Sequence, residues 1–161
     1  MDYSVHNEEV KRVWDAYNSG NPYRVPMRIG ANPRIFLLNK DLNKENVSFE
    51  KYINDVDTMI DVQLKFQDYV RHNIIADHEM GLPYNDGWFI WPDMQNFYEA
   101  AWYGAEILFC ENNCPTTKEL LNNDNKNMLF DRGIPDAFGG GYVKPLEQYE
   151  YMKTQVGKRE Y

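Results

Sequence analysis

Apolar residues recur with helical spacing near the start of the chain. Between residues 7 and 20 they fall on one face of a helix, at Val10, Val13, Trp14 and Tyr17. Asn7 is a suitable N-cap for this segment, and Gly20 is a residue type that commonly ends a helix. The pattern predicts an amphipathic first helix.

Three further cap signals follow in the first half of the chain. Asn32 directly precedes Pro33, which predicts a short helix from that proline. Ser48 and Asp55 predict the starts of a second short helix and of the longest helix, whose apolar positions mostly keep helical spacing. Later helical segments are predicted at residues 94–103, in short pieces of 116–130, and at 145–156.

Apolar runs between these helices predict strands at residues 24–29, 88–92 and 105–110. They lie too far apart for hairpins, and helical segments separate them, which is the order of βαβ units in a parallel sheet. The sequence therefore predicts a helix-rich α/β fold in one domain, residues 1–161. Because so few strands accompany so many helices, the parallel sheet is expected to be incomplete.

Charge and hydropathy exclude two kinds of partner. The chain has 25 acidic and 17 basic residues and no strong basic patch, so it would repel nucleic-acid phosphates. No apolar run approaches the about 20 residues that a membrane span requires, and the polar N-terminus does not resemble a signal peptide. We therefore expect a cytoplasmic protein, in which Cys110 and Cys114 are reduced thiols.

One acidic residue, Asp93, ends the apolar and aromatic run at residues 88–92. Burying an unpaired carboxylate is costly, so its position requires an explanation. It either caps the helix predicted at 94–103, or its charge serves a function. Both interpretations remain open at this point.

Two stretches resemble the uroporphyrinogen decarboxylase superfamily, which also contains cobalamin-dependent methyltransferases. After an N-terminal helix, Arg24-Val25-Pro26-Met27 is similar to the entry into the first barrel strand of this family. Asp93, the following "MQNFYEAAWY" and the Gly104–Ile107 stretch resemble the family pattern that follows the second strand. The resemblance covers roughly residues 8 to 115 and implies the N-terminal portion of a (β/α)8 TIM barrel.

The resemblance also implies an activity and site residues. In the decarboxylases, the aspartate after the second strand binds the pyrrole N–H groups of a tetrapyrrole and stabilises the cation formed on protonation, without a metal or organic cofactor. Asp93 would be this catalytic carboxylate. Arg28 and Arg34 would bind carboxylates of the substrate, although their spacing and the residues between them differ from the family's Met-Arg-Gln-Ala-Gly-Arg run. This difference puts uroporphyrinogen itself in doubt.

Neither metal motif that we considered predicts a site. The methyltransferase branch binds zinc through a His-x-Cys motif, and no histidine here lies two residues before a cysteine. Residues 77–79 read "DHE", but adjacent side chains point in different directions and rarely converge on one ion. We expect a hydrogen-bonded loop there and no bound metal.

The length of the chain leaves several functional alternatives. A TIM barrel closes with eight strands, and these residues would supply about a quarter of it. The chain is then the first part of a decarboxylase-like enzyme, part of a corrinoid-dependent methyltransferase-like enzyme, or a non-catalytic binding or assembly module. In each case we expect it to self-associate or to bind a complementary barrel fragment, because open apolar strands aggregate unless they are covered.

Overall fold

A computed structural model describes residues 2–83 and 87–158, and within these ranges the protein is mainly helical. The α-helices are α1 (Ser4–Asn18), α2 (Pro33–Leu38), α3 (Phe49–Asn54), α4 (Val56–Asn73), α5 (Phe97–Trp102), α6 (Met128–Arg132) and α7 (Val143–Gln155). A 3-10 turn at Gly140–Tyr142 leads into α7. Two short strands, β1 (Ile107–Leu108) and β2 (Thr116–Thr117), complete the described elements.

The caps predicted for α2, α3 and α4 are confirmed. The side chain of Asn32 accepts from the backbone N–H of residue 34, Ser48 from that of residue 51, and Asp55 from those of residues 57 and 58. Each satisfies donors that the first turn of a helix leaves free. The cap predicted for α1 is wrong: the helix begins at Ser4, and the amide of Asn7 pairs with both backbone groups of Met80.

The core forms around α4. Its buried face presents Met59, Ile60, Val62, Leu64 and Phe66 to α2, α3 and α7. From α3, Tyr52 and Ile53 are almost fully buried, and Met152 of α7 reaches the same cluster. Burial of such side chains is the main stabilising contribution to a fold of this kind.

The predicted parallel sheet is wrong for the described residues. The only strands within them are β1 and β2, which are antiparallel, with Ile107 opposite Thr117. Of the predicted strands, part of 105–110 therefore forms a strand, whereas 24–29 and 88–92 do not. The fold is a helix-rich α/β mixture without a complete barrel.

Residues remote in the sequence, rather than neighbouring strands, bond the backbone of the two segments that were wrongly predicted to be strands. The amide of Gln63 pairs with the N–H and C=O of Trp91, and the amide of Gln67 pairs with those of Phe89. Because Phe89 and Trp91 are two residues apart, an extended backbone turns these groups to the same edge. Glutamine side chains one helical turn apart thus occupy the position of a neighbouring strand.

The first extended segment is bonded in a similar way. The N–H of Met27 donates to the carboxylate of Asp77 at 2.6 Å, and the N–H of Asp77 donates to the C=O of Met27 at 2.7 Å. The apolar side chains of this segment are exposed, Val25 by 72%, Met27 by 60% and Ile29 by 48%. Exposed apolar runs of this kind are typical of surfaces that bind another chain.

We predict that this exposed stripe drives self-association or the binding of a complementary fragment. Replacing Val25 and Ile29 with aspartate should lower the apparent mass in light scattering and weaken the binding of a hydrophobic dye, because charge interrupts the apolar surface. Val5→Asp is the matched control, since Val5 is 77% exposed but lies on α1. A monomeric wild-type chain with little dye binding would contradict the prediction.

Candidate functional site

Asp93 lies immediately after the extended segment 88–92, where its carboxylate contacts buried groups. The hydroxyl of Tyr52 donates to Oδ2 of Asp93 at 2.7 Å. The backbone N–H of Asp93 points at the sulfur of Met59, 3.5 Å away. Asp93 as a whole residue is half-buried.

The capping interpretation of Asp93 is not supported by this geometry. Helix α5 begins at Phe97 after Asn96, and no side chain caps it. The carbonyl oxygen of Asp93, not its carboxylate, accepts from the N–H of Gln95 at 3.0 Å. Within the described residues, the carboxylate of Asp93 accepts its hydrogen bond from the hydroxyl of Tyr52.

Two buried tyrosines surround this carboxylate. Burial and the Asp93 carboxylate both raise the pKa of Tyr52, whose side chain is fully buried. The same two causes, burial first, raise the pKa of Tyr98 to about 12. The hydroxyl of Tyr98 is buried and has no hydrogen-bond partner within the described residues. Both tyrosines therefore remain neutral hydroxyls at physiological pH.

A buried glutamine of α4, Gln63, belongs to the same cluster as Asp93, Tyr52 and Tyr98. Gln63 is 0% exposed, and its Nε2 lies 2.7 Å from the carbonyl oxygen of Trp91 and 3.5 Å from the hydroxyl of Tyr52. Its Oε1 accepts from the N–H of Trp91 at 3.0 Å. All polar groups of this side chain are thus paired, as burial requires.

Arg34 approaches the segment that follows Asp93. Its Nε donates to Oε1 of the buried Gln95, and its Nη2 donates to Oδ1 of Asn96 at 3.1 Å. The guanidinium therefore lies beside α5 rather than being fully solvated. Its predicted role as a ligand-binding residue stays a prediction.

Arg28 is not brought into contact with Asp93. Its guanidinium lies over the ring of Trp14 on α1, 4.6 Å from the ring centroid, which is a cation–π geometry. Within the described residues it has no hydrogen bond to Asp93. The two residues are therefore not in direct contact, and the role of Arg28 in binding a substrate carboxylate stays a prediction.

The "DHE" triplet is a hydrogen-bonded loop, as predicted. Asp77 forms a bidentate pair with Arg24, with both distances 2.6 Å, whereas Glu79 pairs with Arg71 at 3.1 Å. Among residues 2–83 and 87–158, the buried ring Nε2 of His78 has no hydrogen-bond partner. The residues of the triplet therefore have separate surroundings. Across residues 2–83 and 87–158, no group of three or more potential ligands could hold a metal ion.

Sequence reasoning missed three residues of the cluster. Tyr52, Gln63 and Tyr98 all occupy positions with helical spacing, so they were indistinguishable from core-packing residues. The one available signal was polarity: Gln63 interrupts the apolar face of α4. A polar residue on a buried face requires a partner, which could have marked it.

Comparisons with protein-family models, curated proteins and solved structures find no match for this chain. Among the described residues, no helix combines the length and the apolar character needed to cross a bilayer. The functional argument therefore depends on the geometry around Asp93 and on the sequence resemblance.

The Arg24–Asp77 pair gives a pH prediction. The hydrogen bonds from Arg24, then that from Met27, lower the pKa of Asp77 to about 2, below its usual 3.8. The folded state thus gains stability from this group above about pH 4, and the gain is lost as the pH falls toward 2. Asp77→Asn should cost about 2–3 kcal/mol at pH 7 in urea unfolding.

The difference between wild type and Asp77→Asn should shrink as the pH is lowered from 4 to 2. Asp41→Asn, at an exposed position, is the control and should change stability by less than about 0.5 kcal/mol. Equal stability of Asp77→Asn and wild type at pH 7 would show that the Arg24–Asp77 pair does not contribute to the free energy of unfolding.

Proposed function

We propose that this chain forms the N-terminal portion of a uroporphyrinogen-decarboxylase-like barrel in which Asp93 is the catalytic carboxylate. The observation that carries the proposal is the hydrogen bond from the buried Tyr52 to Asp93, at the end of the apolar segment 88–92. The hydroxyl of Tyr52, on α3, holds the carboxylate, and the carboxylate does not cap α5. Asp93 is thus left to act on a ligand.

The chemistry of tetrapyrrole decarboxylation suits such a group. Protonation of a pyrrole carbon places positive charge on the ring, and the carboxyl group then leaves as carbon dioxide, with the bonding electrons returning to the ring. A fixed carboxylate accepts hydrogen bonds from pyrrole N–H groups and stabilises the cation. Because Asp93 is half-buried, its charge is less screened than it would be in water.

Arg34 supplies the second part of the proposed site. It lies against Gln95 and Asn96, which follow Asp93 closely, so a carboxylate substituent of the ligand could pair with its guanidinium. Arg28 is the other proposed carboxylate-binding residue, and it would have to leave Trp14 to reach the same ligand. We give Arg34 the greater weight for this reason.

The barrel itself is part of the proposal. Segments 24–29 and 88–92 would be its first two strands, and their exposed apolar side chains would be covered by later strands or by a partner. The same exposed surface supports the alternative of a non-catalytic assembly module. Ligand binding separates the two, since an assembly module requires no tetrapyrrole.

We expect the chain to bind a polycarboxylate tetrapyrrole, with uroporphyrinogen as the probe of this class, prepared by reduction and titrated anaerobically in a calorimeter. Asp93→Asn should weaken binding at least about ten-fold, because the amide lacks the charge and presents N–H groups to the ligand. Asp41→Asn, an exposed carboxylate elsewhere on the surface, should leave the affinity unchanged. No binding by the wild type, or equal binding by Asp93→Asn, would contradict the proposed function.

A further inference from the structure

The direction of each hydrogen bond around Gln63 is fixed by groups that cannot reverse their roles. The backbone N–H of Trp91 only donates, so it faces Oε1 of Gln63, at 3.0 Å. The carbonyl oxygen of Trp91 only accepts, so it faces Nε2, at 2.7 Å. The orientation of the Gln63 amide follows from these two contacts.

The orientation of the amide in turn sets the role of Tyr52. The amide nitrogen of Gln63 carries two hydrogens and no acceptor, and the second hydrogen faces the hydroxyl oxygen of Tyr52, 3.5 Å away. The oxygen of Tyr52 therefore accepts, and its own O–H is free to donate to Oδ2 of Asp93 at 2.7 Å. A directed sequence of hydrogen bonds runs from Gln63 through Tyr52 to Asp93.

We infer that Gln63 and Tyr52 are positioning residues that present one oxygen of Asp93, Oδ1, to a ligand. Oδ2 receives the Tyr52 hydrogen bond, and within the described residues nothing donates to Oδ1. The inference rests on the proposed function and specifies the ligand contact: single N–H donors, such as those of pyrroles, suit one free oxygen.

The neighbouring glutamine provides a matched comparison. Gln67 makes the same pair of bonds to the backbone of Phe89, at 2.6 and 3.1 Å, but in the described part of the chain it forms no hydrogen bond with Tyr52. A glutamine that only holds the extended segment should behave like Gln67. A glutamine that also positions Asp93 should affect the carboxylate, and the two substitutions separate these roles.

The test is the side-chain carboxyl 13C resonance of Asp93 in protein labelled at aspartate, assigned with Asp93→Asn. We expect Gln63→Met and Tyr52→Phe to move this resonance, because both disturb the hydrogen bond to Oδ2. Gln67→Met should leave it in place while speeding exchange of the Phe89 amide. An unmoved Asp93 resonance in folded Gln63→Met would overturn the inference.

Tyr52→Phe keeps the test decisive if Gln63→Met does not fold. This variant retains the bonds between Gln63 and Trp91, so the Trp91 amide should stay protected while the Asp93 resonance moves. A resonance unchanged in Tyr52→Phe would equally overturn the inference. These readouts need no ligand, so they remain valid if the chain does not bind uroporphyrinogen and the proposed function fails.

Where the wild type binds uroporphyrinogen, affinity provides a second readout. Gln63→Met should weaken binding about ten-fold, comparable to Asp93→Asn, whereas Gln67→Met should bind as the wild type does. Equal affinities of Gln63→Met and wild type would contradict the positioning role.

Discussion

The need to pair the buried side-chain amide of Gln63 with the partly buried backbone N–H and C=O of Trp91 is the constraint on which the site depends. An unpaired buried N–H or C=O costs about 1–3 kcal/mol, and no neighbouring strand within the described residues is available to satisfy these groups. The side-chain amide of Gln63, near the centre of α4, forms hydrogen bonds with both the N–H and the C=O of Trp91. Because the same amide lies against Tyr52, and Tyr52 bonds to Asp93, satisfying the backbone also fixes the carboxylate. Packing, backbone pairing and the proposed chemistry therefore share one buried side chain.

In both extended segments, residues remote in the sequence form hydrogen bonds along one edge of the backbone. Within the described residues, the other edge of each segment has no hydrogen-bond partner. Asp77 pairs with the backbone of Met27, as the glutamines do with residues 89 and 91. Polar side chains of this kind stabilise an extended conformation without supplying a sheet, which explains why the segments at 24–29 and 88–92 do not form the predicted strands. The outward apolar side chains, including Val25 and Phe89, remain exposed as a result. An extended segment fixed on one edge and open on the other is suited to strand addition.

The elements that the sequence predicted well are those determined by local interactions. Asn32, Ser48 and Asp55 cap helices within three residues of themselves, so the signal and its partner lie in the same short stretch. The strands at 24–29 and 88–92 were predicted wrongly because their hydrogen-bond partners are remote: Gln63 lies 28 residues before Trp91. The position of Asp93 after an extended run was predictable, but Tyr52, 41 residues away, was not. The resemblance implied that Arg28 binds a substrate carboxylate, whereas in the structure its guanidinium lies over the ring of Trp14 on α1.

Amide hydrogen exchange across residues 88–92 tests the central claim most directly. Glutamine side chains bond Phe89 and Trp91 but not the residues between and before them, so the account predicts an alternating pattern. The amides of Phe89 and Trp91 should be protected, while those of Trp88 and Ile90 exchange much faster. Gln63→Met should remove the protection of Trp91 more than that of Phe89. Uniform protection of all four amides, or equally fast exchange of all four, would contradict the account.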